Sequence, residues 1–370
     1  AIQASLRDAG QNLRALRKTG VAGRGPACQP VFRLSMKRLP PLLVAALLPF
    51  IAMAAEKKAS VFNGRIERVD PTFDKLVATD AKLEKLAEGF AWSEGPVWLK
   101  GELIFSDVPE NVAYRWRPGM TKAGVFLKPS GLLTPQPGFR EPGSNGLTLD
   151  RQGRLLLCQH GERRVARYEN GTFTSLADRY DGKRFNSPND LAVRKNGDIY
   201  FTDPSYGLEG INESPLKELS FNGVYRVASD GKVTLLTKTL TFPNGIAFSP
   251  DEKILYVGVS DSKATRVVAY DVAADGTINN ERTFFDAQPL LKDGNKGLVD
   301  GLKIDRDGNV WSSGPGGILV ISPAGKLLGR LNTGQATANC NWGDDGSTLY
   351  ITAHMFLVRV KTKTKGAGWE

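Results

Sequence analysis

Six times along the chain an alternating apolar strand runs into an Asp/Asn/Gly turn and is answered by a second apolar strand. The segments are GPVWLKGELIFSD (95–107), GLTLDRQGRLLLCQH (146–160), DLAVRKNGDIYFTD (190–203), GIAFSPDEKILYVGV (245–259), GLKIDRDGNVWSSG (301–314) and CNWGDDGSTLYITAH (340–354). Alternation with period two turns one face of each strand toward a core, and turn residues between two such runs mark a β-hairpin. The hairpins recur about every 40–55 residues. Further strand-like pieces lie between them: VAYRWRP (112–118), RVARYENGTF (164–173), GVYRVASDGKVTLL (223–236) and RVVAYDVAADGTI (266–278). Six units of about four strands each predict an all-β fold, a six-bladed β-propeller. No stretch carries a helical period. The strand-like segment at about 58–90 is expected to supply the outer strand that closes the ring. Radial repetition also explains how one domain can exceed the usual 100–200 residues.

The first 54 residues do not share this pattern. Met36-Lys37-Arg38 opens a basic region, Leu39 to Ile51 is apolar, and Ala52-Met53-Ala54 follows as an A-x-A site. That is the three-part plan of a secretory signal peptide at about 36–54, too short in its apolar run for a membrane span. Residues 1–35 precede a start methionine and read as an extension. The expected organisation is a leader at 1–54, absent from the mature protein, and a single propeller domain at 55–370. A periplasmic or secreted location follows, with no stable membrane insertion after cleavage.

The net charge of +10 suggests nucleic acid until it is located. Eight basic residues and one acid fall in 1–54, leaving 41 basic and 38 acidic residues in the body. The body is nearly neutral, so no nucleic-acid partner is expected. Only two histidines (His160 and His354) and three cysteines (Cys28, Cys158, Cys340) occur, without a C-x-x-C pair. These numbers exclude a three-histidine zinc site and a cysteine cluster. Cys158 and Cys340, each on an expected strand, are read as buried free thiols. No G-x-S-x-G, H-E-x-x-H or P-loop motif is present. Neither histidine has an obvious serine partner, which disfavours nucleophilic serine chemistry.

The turns supply a register. Eight residues before Gly153, Gly197 and Gly308 stand Asn145, Asn189 and Asp300. Eight before the aligned Glu252 stands Asn244, and seven before Gly101, in a shorter turn, stands Glu94. The sixth repeat offers Ala338 and Asn339 without a clear match. In a propeller, equivalent positions form a ring around the axis. Asn and Asp are turn residues in their own right, but Glu is not, and Glu94 is on register. Two carboxylates and three amides converging on an axis suit a hard cation such as Ca²⁺, with another divalent ion possible at altered geometry.

These residues carry a family resemblance. SEGPVW (93–98), SNGLTLD (144–150), SPNDLAV (187–193), GDIYFTDPSYGL (197–208), FPNGIAFSPD (242–251) and VDGLKID (299–305) resemble the SMP-30/gluconolactonase family of calcium-dependent lactonases, in the family's order. The resemblance implies that Glu94, Asn189, Asn244 and Asp300 hold the metal, with Asp300 also a candidate general base. It implies that Asn145, Asn189 and Tyr206 face the substrate. CQHGERRV (158–165) resembles the gluconolactonase-type branch and is expected to put His160, a candidate proton shuttle, at the pocket mouth. His354 occupies a comparable place in the sixth repeat. Arg163 and Arg164 beside Glu162 read as a surface pair, and Trp92, Trp98, Trp311 and Trp342 as strand residues packing in the core.

The expected function is metal-assisted hydrolysis of a small, sugar-type lactone. Two alternatives stay open on the sequence: a phosphotriesterase-type hydrolase at the same site, and a non-enzymatic binding platform with a structural ion. Nothing in the sequence addresses the oligomeric state.

Overall fold

A computed structural model describes residues 61–369. The expected leader, with its signal peptide at about 36–54, lies outside the described residues.

Six antiparallel sheets follow one another in chain order. Blade 1 comprises Ser93–Leu99, Glu102–Asp107, Val112–Trp116 and Gly124–Leu127. Blade 2 comprises Ser144–Leu149, Leu155–Gln159, Arg164–Glu169 and Thr172–Ala177. Blade 3 comprises Leu191–Val193, Ile199–Asp203, Gly223–Val227 and Val233–Thr237, and blade 4 Pro243–Phe248, Ile254–Val259, Arg266–Val272 and Ile278–Asp286. Blade 5 is built on Leu302–Ile304, Val310–Gly314, Gly317–Ile321 and Leu327–Asn332, and blade 6 on Asn339–Gly343, Thr348–Ala353 and Phe356–Lys361. The fold is the six-bladed propeller that the repeat predicts. Among the described residues the helical elements are three short 3₁₀ turns.

The segment before the first repeat divides its work. Glu84–Glu88 pairs with Phe356–Lys361 as the outer strand of blade 6, so the last sheet is completed by the start of the domain and the ring is closed. Arg65–Arg68 instead adds a fifth strand to blade 5, alongside Leu327–Asn332. Closure of this kind removes a free sheet edge and ties the two ends of the domain together.

The core is distributed around the ring. Each junction between neighbouring blades holds its own apolar cluster, because both faces of a blade are covered. Trp311 of blade 5 and Trp342 of blade 6, for example, meet edge to face at 5.2 Å. Cys158 and Cys340 are buried, free thiols within two of these clusters.

The turns that set the register have left-handed backbone, with φ of 74° at Gly153 and 91° at Gly197. Glu252 takes the same conformation (φ 58°) without being glycine. Its carboxylate offsets the strain by accepting from Lys195 N at 2.7 Å and pairing with Arg194 of blade 3.

Candidate metal centre

The five register residues meet at one end of the axis. Glu94, Asn145, Asn189, Asn244 and Asp300 line a single cavity of about 310 Å³, together with Tyr206. Each stands at or just before the start of an inner strand, and the backbone is tied to the preceding blade there, through Ser93 N to His354 O at 2.9 Å beside Glu94 and directly at the other four. Asn145 O accepts from Ser106 Oγ at 2.8 Å, Asn189 O from Gly146 N at 2.7 Å, Asn244 O from Thr202 Oγ1 at 2.6 Å and Asp300 O from Gly245 N at 3.1 Å. Main chains fixed this way hold the side chains over the axis without further ordering.

Their oxygens are conspicuously under-used. Asn145 Oδ1, Asn189 Oδ1 and Asp300 Oδ1 are all buried without a protein partner. Buried acceptors are normally satisfied, so three orphans in one cavity call for a ligand. Asn244 donates from Nδ2 to Ser260 Oγ at 3.0 Å, which turns its oxygen away from that contact. Glu94 Oε2 accepts from Gly95 N at 2.8 Å and from Asn339 Nδ2 at 3.2 Å.

The electrostatics point the same way. Burial, then the nearby charges of Glu94, Asp190 and Glu141, push the Asp300 carboxyl well above its ordinary range. Burial, then Asp190, pushes Glu94 up as well. Crowded carboxylates in a low-dielectric site resist ionising unless a cation joins them. Among the described residues no three His, Cys, Asp or Glu side chains are placed to hold a metal ion by themselves. The cradle is therefore two carboxylates plus amide oxygens, a hard all-oxygen set suited to Ca²⁺ and unsuited to zinc or copper.

The walls include residues that the repeat does not mark. Trp92, Arg140, Glu141, Ser260 and Leu298 also line the cavity. Arg140 and Glu141 come from the 128–142 loop, whose backbone pairs with the 206–208 turn through Arg140 N to Gly207 O (3.0 Å) and the Phe139–Leu208 bridge. Tyr206 stacks on Phe242 at 5.1 Å and donates its hydroxyl to Ser260 O at 2.8 Å. Trp92 precedes the first inner strand and faces the cavity instead of the core, meeting His354 edge-on at 5.6 Å. Trp98, half-buried, stacks on Tyr350 at 5.4 Å.

Two further expectations are corrected. His160 is not at the mouth: it is fully buried, does not line the cavity, and stands behind Glu141 with Nδ1 3.9 Å from Oε2. Gly207 closes over it so tightly that a Cβ there would lie 2.7 Å from the His160 Cβ. Burial lowers its pKa to about 3, which keeps it neutral near pH 7. Arg163 is not a surface residue either. It is buried, with Nε donating to Phe185 O at 2.6 Å and Nη1 3.3 Å from Glu218, while Arg164 Nε donates to Gln159 Oε1 at 2.7 Å. A guanidinium can be buried when carbonyls and a carboxylate take up its donors. His354, partly buried, also stays out of the cavity lining.

Comparison with known proteins adds to this geometry. Residues 92–355 match the model of the SMP-30/gluconolactonase/LRE-like region. The chain is 39% identical to a gluconolactonase of Zymomonas mobilis, over 90% of this chain and 99% of that protein. It is 27% identical to a pentonolactonase of Haloferax volcanii, over 70% of this chain and 80% of that one. A solved gluconolactonase from Xanthomonas campestris superposes with a TM-score of 0.70 at 30% identity, covering 83% of this chain and 99% of that structure.

Proposed function

The chain belongs to the SMP-30/gluconolactonase/LRE-like family, and from that premise we propose that it opens small, sugar-type lactones by water attack in the axial cavity. The observation that carries the reading is the set of three orphaned buried oxygens, on Asn145, Asn189 and Asp300, with the Glu94 carboxylate crowded beside them. Glu94, Asn189, Asn244 and Asp300 would hold the cation, Ca²⁺ by the chemistry of the donors, with another divalent ion tolerated at altered geometry. A cation there supplies Lewis-acid polarisation of the ester carbonyl and stabilises the oxyanion as it develops.

The chain's own groups do the rest. The Asp300 carboxylate takes a proton from the attacking water and returns it to the ring oxygen as the acyl C–O bond breaks, leaving a hydroxy acid. Asn145, whose amide oxygen is not needed for the cation, aims it at a substrate hydroxyl. Because the Tyr206 hydroxyl donates to Ser260 O, its oxygen is left as an acceptor for the sugar. Trp92 offers an aromatic wall against which a sugar ring can pack. The basic, apolar and A-x-A plan of residues 36–54 supports an exported enzyme, periplasmic or secreted.

The test is proton release from glucono-1,5-lactone by the purified protein with Ca²⁺ and with EDTA. Turnover that disappears in EDTA and returns with Ca²⁺ is expected. Undiminished turnover in EDTA would remove the cation from the reaction, and no turnover of any sugar lactone by the Ca²⁺-loaded protein would remove the substrate class.

A further inference from the structure

One residue deeper along the axis lies a second layer of equivalent positions. It consists of Gly95, Gly146, Asp190, Gly245, Gly301 and Asn339, four of them without side chains. The two side chains present fill the space that two of the glycines leave, while Gly95 and Gly245 lie against the backbone of the next blade. A Cβ on Gly301 would fall 1.9 Å from Asn339 Cγ, and one on Gly146 would fall 2.6 Å from Asp190 Oδ1. From the far side of this layer Lys303 reaches in, and its Nζ lies 3.6 Å from Asp190 Oδ2 and 3.3 Å from Asn339 Oδ1.

The bonds of the Asn339 amide are directional. Nδ2 donates to Glu94 Oε2 at 3.2 Å and to Asp190 Oδ2 at 3.3 Å, while Oδ1 accepts from Cys340 N at 2.9 Å and from Lys303 Nζ. The opposite amide orientation would set an oxygen against two carboxylates and an NH₂ against an ammonium and a backbone N–H. Lys303 and Asp190 therefore fix which end of Asn339 faces Glu94. With Oε2 held by Asn339 and by Gly95 N, Glu94 Oε1 is the oxygen left for a cation.

We propose that Lys303, Asp190 and Asn339 form a positioning relay that locks the Glu94 carboxylate in the orientation the cation needs. The proposal rests on the metal-ring reading above. Asn339 and Lys303 touch neither substrate nor cation; they act through Glu94, as outer partners orient metal ligands elsewhere.

Calorimetric Ca²⁺ titration of the full chain, with Asn339→Leu and Lys303→Met, tests it alongside the melting temperature of each metal-free protein. Asn339→Leu should weaken Ca²⁺ binding by about 10–100-fold. Lys303→Met decides between two physical effects. By Coulomb's law alone, removing a nearby positive charge tightens Ca²⁺ binding, whereas loss of the relay weakens it, by about tenfold. If Asn339→Leu does not fold, Lys303→Met decides alone. Unchanged or tighter Ca²⁺ affinity in either folded variant, whatever its melting temperature, overturns the relay. A wild-type protein that binds Ca²⁺ with the variants unchanged defeats this inference only; a wild type that binds no Ca²⁺ defeats the ring reading with it.

Discussion

Two layers of the same axis, one residue apart, are built to opposite ends. The outer layer (Glu94, Asn145, Asn189, Asn244, Asp300) presents oxygens, and three of them are buried and unmet. In the inner layer four positions are glycine, and Asp190 and Asn339 interlock with Lys303 until their polar atoms are matched. Both descend from one repeated hairpin, so the backbone does not distinguish them. The difference is satisfaction: the outer layer leaves three buried acceptors unmet in one cavity, whereas the inner layer matches its polar atoms.

That contrast can be broken from either side. The largest expected effect is at the outer layer: Asp300→Ala should lower lactone turnover by at least about 10³-fold, within the range of a lost general base. Its circular dichroism should stay close to wild type, and retained turnover would remove Asp300 from the chemistry. In the inner layer the expected change is in stability. Gly301→Ala forces a methyl into the Asn339 amide and should lower stability by about 1–3 kcal/mol in urea unfolding. A neutral result would mean that the layer is loosely filled.

A pH series sharpens the same comparison. Without a cation, Glu94 and Asp300 have folded pKa values raised above their ordinary ones. The folded state then holds protons that the unfolded chain releases above about pH 4–5, so stability falls as pH rises from there. In EDTA the protein should melt higher at pH 5.5 than at pH 8, and the Ca²⁺-induced rise in melting temperature should be larger at pH 8. The smallest effect is expected at His160. Since it is already neutral, His160→Gln should leave the pH profile of turnover unchanged between about pH 5.5 and 8.

The propeller and the outer layer were legible in the chain because both obey a repeat. A fixed count from each turn glycine to an inner strand start is enough to bring five residues from five blades to one cavity. The inner layer is not legible from the same count, which leaves Asn339 without a match. The sixth repeat carries Ala338 on register and its Asn one position later, so the residue belongs to the other layer. Arg140, Glu141 and Trp92 escaped for a different reason. They sit on connections outside the repeat, and the 128–142 loop is placed only by pairing with the 206–208 turn far along the chain. The resemblance of CQHGERRV points His160 to the mouth and the neighbouring Glu162 points Arg163 to the surface, whereas Gly207 and Glu218 close over them from distant segments.

The central claim is that the outer layer is a divalent-cation site. Calorimetric titration of Ca²⁺ into EDTA-stripped wild-type protein and Glu94→Gln tests it most directly. The account predicts saturable binding in the wild type, and affinity lower by more than about tenfold, or 1.4 kcal/mol, once one carboxylate of the cradle becomes an amide. Equal affinity in the two proteins, or no binding heat in the wild type, would contradict it.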